Sequence, residues 1–272
     1  MATSSSQPIV KPLLRTLPDL TPRERQVLQE LAVVHVATAS QISRLVFAEQ
    51  SSATAARLAH RHLQRLQRFG LTRRLANRAR DRKGGPPGYL HVLTEQGMSL
   101  SGASFTMGLR QRRSWRPADH FVDHRLAITE LYVRLREQAY VGGAQLRLYQ
   151  AEPDCWRRHH GPAGEQLTLK PDALLRLVVG DLELSWFVEI DLATESPRRI
   201  AAKCMAYRTY EWSGSEQQRY GVFPGVLFVV PDEARARSIQ HVFDQQPTDA
   251  QELFMVATSA EALTALNRLP DG

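Results

Sequence analysis

A mixed α/β (α+β) chain in two parts is what this sequence predicts, and three observations carry the expectation. Charge is segregated: residues 1–118 hold 19 Lys+Arg and 6 Asp+Glu, a balance of +13, and the remainder carries −6, within a net charge of +7. Two apolar, strand-like runs flank Gly180-Asp181, a two-residue turn of the kind that closes a tight hairpin. The order of periodic segments also changes near residue 119, from short helices to helix, three strands, helix, strand. With 272 residues, 43% of them hydrophobic, the chain has material for one large or two ordinary domains with real cores.

Residues 1–20 have neither the charged start nor the apolar stretch of a targeting signal and read as a flexible tail. Thr21-Pro22-Arg23-Glu24 is a capping-box start with proline at the first helical position, leading into Val27, Leu28 and Leu31. Thr38 or Ser40 caps a second helix through Ile42, Leu45 and Val46. Ser51 or Ser52 opens a third, with Ala55, Leu58, His62, Leu63 and Leu66 inward, ending at Phe69-Gly70. Its outer side carries Arg57, Arg61, Arg65 and Arg68. Leu71–Ala76, which includes Arg73 and Arg74, and Tyr89–Leu93 read as two strands around a tip of Arg78, Arg80, Arg82, Lys83, Gly84 and Gly85. Thr94 begins a last helix. That order over residues 21–105 is a winged helix-turn-helix. Its third helix suits the major groove of double-stranded DNA, and its basic tip suits the phosphate backbone. The alternative is a solvated charge face on an interaction domain. Only Asp81 opposes the arginines between residues 57 and 83, which favours DNA binding.

Residues 106–118, with Arg110, Arg112, Arg113 and Arg116 around Trp115, read as a basic linker. From Asp119 a helix carries His124, Ala127, Ile128, Leu131 and Leu135 on one stripe, with Glu130 just off it. A histidine on such a stripe serves either as a hydrogen-bonded core residue or as a ligand. Ala144–Gln150 alternates as a strand, and residues 152–166 read as a polar loop holding His159 and His160. Val226–Val230 is wholly apolar, as in a strand buried on both faces. Pro231-Asp232 starts another helix, and Leu253–Ala257 is a final strand.

The hairpin organises the second part, residues 119–268. If the turn pairs Val179 with Leu182, then Asp172 faces Glu189 and Lys170 faces Asp191. One face is apolar from Ala173 to Val179 and from Leu182 to Ile190, and lies on a core. The other ends in Lys170, Asp172, Glu189 and Asp191. Facing carboxylates are unfavourable unless compensated. One compensation is a hard divalent cation, Mg²⁺ or Mn²⁺, on Asp172, Glu189 and Asp191. The other is a solvated strand end with a Lys170–Asp191 pair. After the hairpin, Pro197 opens a helix on which Ile200, Lys203, Cys204 and Tyr207 share a stripe. Lys203 is one of only four lysines, so its inward position beside the carboxylates stands out. Carboxylates, a cation and a lysine make up a phosphodiester-cleaving site.

Pro171-Asp172 followed after a hairpin by Glu189-Ile190-Asp191 resembles the PD-(D/E)XK restriction-endonuclease-like motif, whose core order is αβββαβ. Asp191 stands where that motif has lysine. Some branches carry the lysine on the next helix, and Lys203 fits that place. The longer pattern, a winged-helix start and then His124, Glu130, Pro171-Asp172, Glu189, Asp191, Thr194, Lys203 and Tyr207, resembles the replication-relaxation family over about residues 21–245. That family occurs on bacterial plasmids and integrative elements and is related to nuclease-like conjugative relaxases. The resemblance implies a metal-dependent nickase acting at an origin in mobilisation or replication. Catalytic residues would be Asp172, Glu189, Asp191, Lys203 and Tyr207, with His124 and Glu130 as neighbours. A regulator of replication or transcription that keeps the scaffold without cutting is the alternative.

Double-stranded DNA is therefore the expected partner, with other DNA-processing proteins and a second copy of the chain as further ones. No run is long enough for a transmembrane helix, so no membrane partner is expected. Cys155 and Cys204, far apart and without CxxC spacing, point to a reducing cytoplasm without disulfides or a zinc finger.

Overall fold

Two capping boxes start the first two helices. Thr21 Oγ1 accepts from the Glu24 amide at 3.3 Å while Glu24 accepts from the Thr21 amide at 2.9 Å, which satisfies amides that a helix start leaves open. Thr38 and Gln41 repeat the arrangement. The computed structural model describes residues 19–76, 88–102 and 119–268. The expected tail but for Asp19 and Leu20, the tip with Arg78, Arg80, Arg82 and Lys83, and the whole of the expected linker lie outside the described residues.

The first part runs α1 (Pro22–Val34), β1 (Ala37–Thr38), α2 (Ala39–Val46), α3 (Ser52–Arg68), β2 (Thr72–Ala76), β3 (Tyr89–Leu93) and α4 (Glu95–Leu100). The strands form an antiparallel sheet in the order β1-β3-β2. Val27, Leu28, Leu31, Ile42, Leu63 and Leu66 fill its core, from the stripes that helical spacing places inward.

The second part begins with α5 (Asp119–Tyr140), which packs in two cores at once. Its Tyr132 and Val133 belong to the core of the first part. Ile128, Leu131 and Leu135 lie on the large sheet. Polar contacts join the same surfaces: Thr129 Oγ1 donates to the Val36 carbonyl at 2.8 Å, and Tyr132 Oη donates to Glu30 at 2.7 Å.

In the large sheet, β4 (Gln145–Ala151), β7 (Ala173–Val179) and β8 (Leu182–Ile190) are antiparallel neighbours, and β9 (Gly225–Val230) and β10 (Phe254–Thr258) continue in parallel. Its strand order is β10-β9-β8-β7-β4. The Gly180-Asp181 turn is realised, with Val179 opposite Leu182 and the register running unbroken to Ala173 opposite Val188. Gly180 has φ 59°, a conformation that a Cβ penalises and that the turn requires.

Both faces of this sheet are covered, so the face that ends in Asp172 and Glu189 lies on a core as the apolar face does, which removes the alternative of a solvated strand end. α5 and α10 (Ala262–Leu266) pack on Ala173, Leu175, Leu177, Val188 and Ile190. α6 (Pro197–Trp212) and α8 (Glu233–Asp244) pack on Leu174, Phe187, Val226 and Phe228. The carboxylates at the hairpin's open end are consequently buried, Glu189 under α6, Asp172 against His124 of α5 and Asp191 against Arg235 of α8. A correction concerns residues 152–166. β5 (Arg157–His160) and β6 (Gln166–Leu169) pair antiparallel as a separate two-stranded sheet between β4 and β7. His159 packs on Tyr210 at 4.9 Å, which anchors this hairpin to α6. A short α7 (Ser215–Tyr220) and α9 (Thr248–Gln251) complete the fold.

Candidate functional site

Asp172 follows Pro171 at the start of β7 and is only 7% exposed. Its Oδ2 accepts from the Ile190 amide at 2.7 Å, so a hydrogen bond to the partner strand orients the carboxylate. Its Oδ1 lies 3.0 Å from His124 Nε2, on the first turns of α5. Burial alone would lower the His124 pKa, but the hydrogen bond and charge of Asp172 outweigh it and raise it above the ordinary value.

Glu152, directly after β4, is the third member. His124, Glu152 and Asp172 each offer one ligand atom, and the three atoms lie within 4.8 Å of one another. Arg125 holds Glu152 twice, through its carboxylate at 3.0 Å and its carbonyl at 2.8 Å. His35 Nδ1 lies 3.1 Å from the same carbonyl, and its Nε2 lies 3.1 Å from Asp154, so the first part touches the segment that carries Glu152. Burial raises the Glu152 pKa, Arg125 opposes the rise, and Asp172 adds to it. Sequence reasoning missed Glu152. The available signal was a carboxylate at the end of the strand beside Asp172, but the neighbour relation of β4 and β7 is not local.

The remaining expected residues divide. Glu189 is 2% exposed, accepts from Lys203 Nζ at 2.7 Å and from Tyr207 Oη at 2.6 Å, and therefore has a donor on each oxygen. Burial, and then the Asp172 charge, push its carboxyl above the ordinary range. Lys203 also reaches Glu195 at 3.1 Å. Burial would weaken its proton affinity, but Glu189 and Asp172 more than compensate, so the ammonium stays charged. Asp172, Glu189, Lys203, Tyr207 and His124 are thus brought together.

Asp191 and Glu130 are not. Asp191 bonds Arg235 of α8, with one contact at 3.0 Å, and is 2% exposed. A guanidinium therefore supplies the counter-charge that was expected from a cation or Lys170. Lys170 instead lies over the Trp156 ring, 5.0 Å from its centroid. Glu130 points to α2, where Arg44 binds it at 2.6 Å and Gln41 at 3.1 Å.

On the first part, Arg57, Arg61 and Arg68 are exposed along α3, and Arg73 and Arg74 are exposed on β2. Arg65 is different: it binds both oxygens of Glu24 at 2.8 Å, and Glu24 is fully buried. A groove between α3 and the hairpin is lined by Gln64, Gln67, Arg68 and Arg74, and Arg74 lies over Tyr89 at 4.2 Å. The two glutamines were not singled out from the sequence, although their amides have the paired donor and acceptor that adenine edges match.

Among the described residues no helix is long and apolar enough to cross a membrane. No curated protein and no solved structure matches this chain. The family model described as Replication-relaxation matches residues 28–226, which span both the arginine-bearing helix and the carboxylate site and make up well over half of the chain, so this protein belongs to the replication-relaxation family.

Proposed function

We propose that this protein binds double-stranded DNA and nicks one strand at an origin of a plasmid or other mobile element, with Mg²⁺ or Mn²⁺ held by His124, Glu152 and Asp172. The observation that carries the reading is the convergence of three ligand atoms within 4.8 Å from α5, the end of β4 and the start of β7. Ligands at about 2.1 Å from a common cation lie about 3–4 Å apart, so three atoms within 4.8 Å of one another need only a small closing movement, and two carboxylates with one imidazole suit Mn²⁺ better than Mg²⁺. The order of α1 to α4 with the β2–β3 hairpin supports a winged helix, and the sheet order supports a nuclease-like scaffold.

When bound, the cation supplies polarisation of a phosphate and a more acidic water. His124 would give up the proton it now shares with Asp172 on ligation, while Arg125 keeps Glu152 in place. The Lys203 ammonium, held charged beside Glu189, is the group suited to steady charge developing on phosphorus. Tyr207 fixes the other oxygen of Glu189 and so orients that carboxylate.

One observation favours the non-cutting regulator: Lys203 already carries two carboxylates, Glu189 and Glu195. Conversion of supercoiled DNA bearing the protein's own origin to open circles decides between them. The wild type with Mn²⁺ is expected to nick, and Asp172→Asn to lose at least about a hundredfold in rate with unchanged duplex binding. A wild type that cuts with neither cation leaves the regulator, and nicking that persists in Asp172→Asn removes this site.

A further inference from the structure

A basic, aromatic cleft of about 700 Å³ lies against the segments that carry the carboxylate site, in the half of the chain whose net charge is acidic. The β5–β6 hairpin and α7 form its walls. Pro153 and Asp154 line it directly after Glu152, and Lys170 lines it two residues before Asp172. The two segments are tied together by the Glu152 amide, which donates to the Asp172 carbonyl at 2.9 Å, and by the Cys155 thiol on the Pro171 carbonyl at 2.9 Å.

The acids of the cleft are already engaged: Asp154 lies 3.1 Å from His35, and Glu216 binds Arg157 at 2.7 Å. Arg158, Lys170 and Arg219 form no ion pair among the described residues. Two of them rest on rings, Lys170 at 5.0 Å from the Trp156 centroid and Arg219 at 5.1 Å from that of Tyr220, over which Arg176 also lies at 4.1 Å, so a base stacking on Tyr220 takes the place of one guanidinium. Cations without counter-anions, interleaved with aromatic rings, are the arrangement that takes phosphates on the charges and bases on the ring faces. The volume is that of a small-ligand site, about 300–1,000 Å³, and admits a nucleotide or two of one strand. A duplex, whose major groove alone is about 12 Å wide, does not fit.

We propose that this cleft binds a single strand of nucleic acid, with bases stacking on Trp156 and Tyr220 and phosphates on Arg158, Lys170 and Arg219. It deepens the function proposed above, resting on that reading for what the strand is brought to and not for the binding itself. Duplex and single strand then have separate surfaces, α3 for the first and the cleft for the second.

Fluorescence anisotropy of a labelled oligothymidine of about ten nucleotides, with full-length protein in EDTA, measures this binding apart from any cutting. The triple variant Arg158→Gln, Lys170→Gln, Arg219→Gln is expected to weaken oligothymidine binding about tenfold or more and to lower its salt slope by about 0.7 for each phosphate no longer neutralised. Tyr220→Ala is expected to cost about tenfold through weaker stacking. Both variants keep duplex affinity and wild-type melting curves. The variant Arg57→Ala, Arg61→Ala, Arg68→Ala shows the converse, losing duplex and keeping oligothymidine. A wild type that does not bind the oligonucleotide overturns the proposal. So does a cleft triple that binds it like wild type, or one that loses duplex and oligonucleotide equally. If oligothymidine binds as expected and origin DNA is never nicked, the cutting activity fails and the cleft stands; nicking without oligothymidine binding is the reverse.

Discussion

The outer face of α3 and the open end of the β7–β8 hairpin both concentrate charge, and they hold it on opposite terms. Arg57, Arg61 and Arg68 stand in solvent with no carboxylate partner among the described residues, where a high dielectric makes their mutual repulsion small. Glu189 and Asp191, each 2% exposed, are matched by donors from other elements: Lys203 and Tyr207 on one, Arg235 on the other. A buried charge without a partner costs several kcal/mol, so each buried carboxylate at the hairpin end has recruited one, while the exposed Lys170 has no ion pair among the described residues. The comparison teaches that an exposed face keeps its charges available for a polyanion. A buried cluster pairs its charges with one another, and among the described residues His124, Glu152 and Asp172 in addition bring their ligand atoms within 4.8 Å of one another.

The largest effect expected from breaking this contrast is at Lys203. Lys203→Met leaves Glu189 buried beside Asp172 without its ammonium, at a cost of about 3–5 kcal/mol in denaturant unfolding at neutral pH. The sign of its pH dependence follows from the raised Glu189 pKa. An acid raised in the folded state contributes stability at low pH that is lost as pH rises through the folded value, and removing Lys203 raises it further. The deficit should therefore shrink as the pH is lowered from about 8 to about 5. In a background of Glu189→Gln it should lose that dependence. An equal deficit at both pH values would mean that Lys203 contributes packing and not charge.

The exposed side should respond in binding and not in folding. Arg57→Ala, Arg61→Ala and Arg68→Ala together should lower the salt slope of duplex binding by up to about 2.7, at about 0.9 for each phosphate, with an unchanged melting curve. An unchanged slope would remove α3 from the interface. Arg65→Ala sharpens the comparison with the smallest effect. It removes one partner of the buried Glu24, which keeps Thr21 and His62, so about 1–2 kcal/mol of stability should go with little change in slope. A slope change equal to that of its neighbours would return Arg65 to the binding face.

How legible the site was depended on the range of each interaction. The hairpin register was readable because Gly180-Asp181 admits one tight turn, and period-two alternation then assigns every side chain to a face. The Lys203–Glu189 contact followed from that register and one helical stripe, 14 residues apart. Glu152 was not readable, since nothing near it in the chain shows that β4 lies beside β7 with an inserted hairpin between them. The same holds for the family pattern, whose letters include Glu130 but not the Arg44 that binds it across 86 residues.

By itself, then, the chain's order of residues determined the capping box at Thr21, the inward stripes of α3 and α6, and the pairing of β7 with β8, and it narrowed the second helix start to Thr38 or Ser40. These rest on contacts within a turn or two of chain, where spacing alone decides which groups meet. Only the tertiary structure decided which charges remain free. Arg65 went to Glu24 across 41 residues and Asp191 to Arg235 across 44, while His124, Glu152 and Asp172 converged from three elements. The physical reason is desolvation. A charge is claimed by whichever opposite group folding buries beside it, and that neighbour is set by the packing of whole elements and not by the residues next to it in the chain.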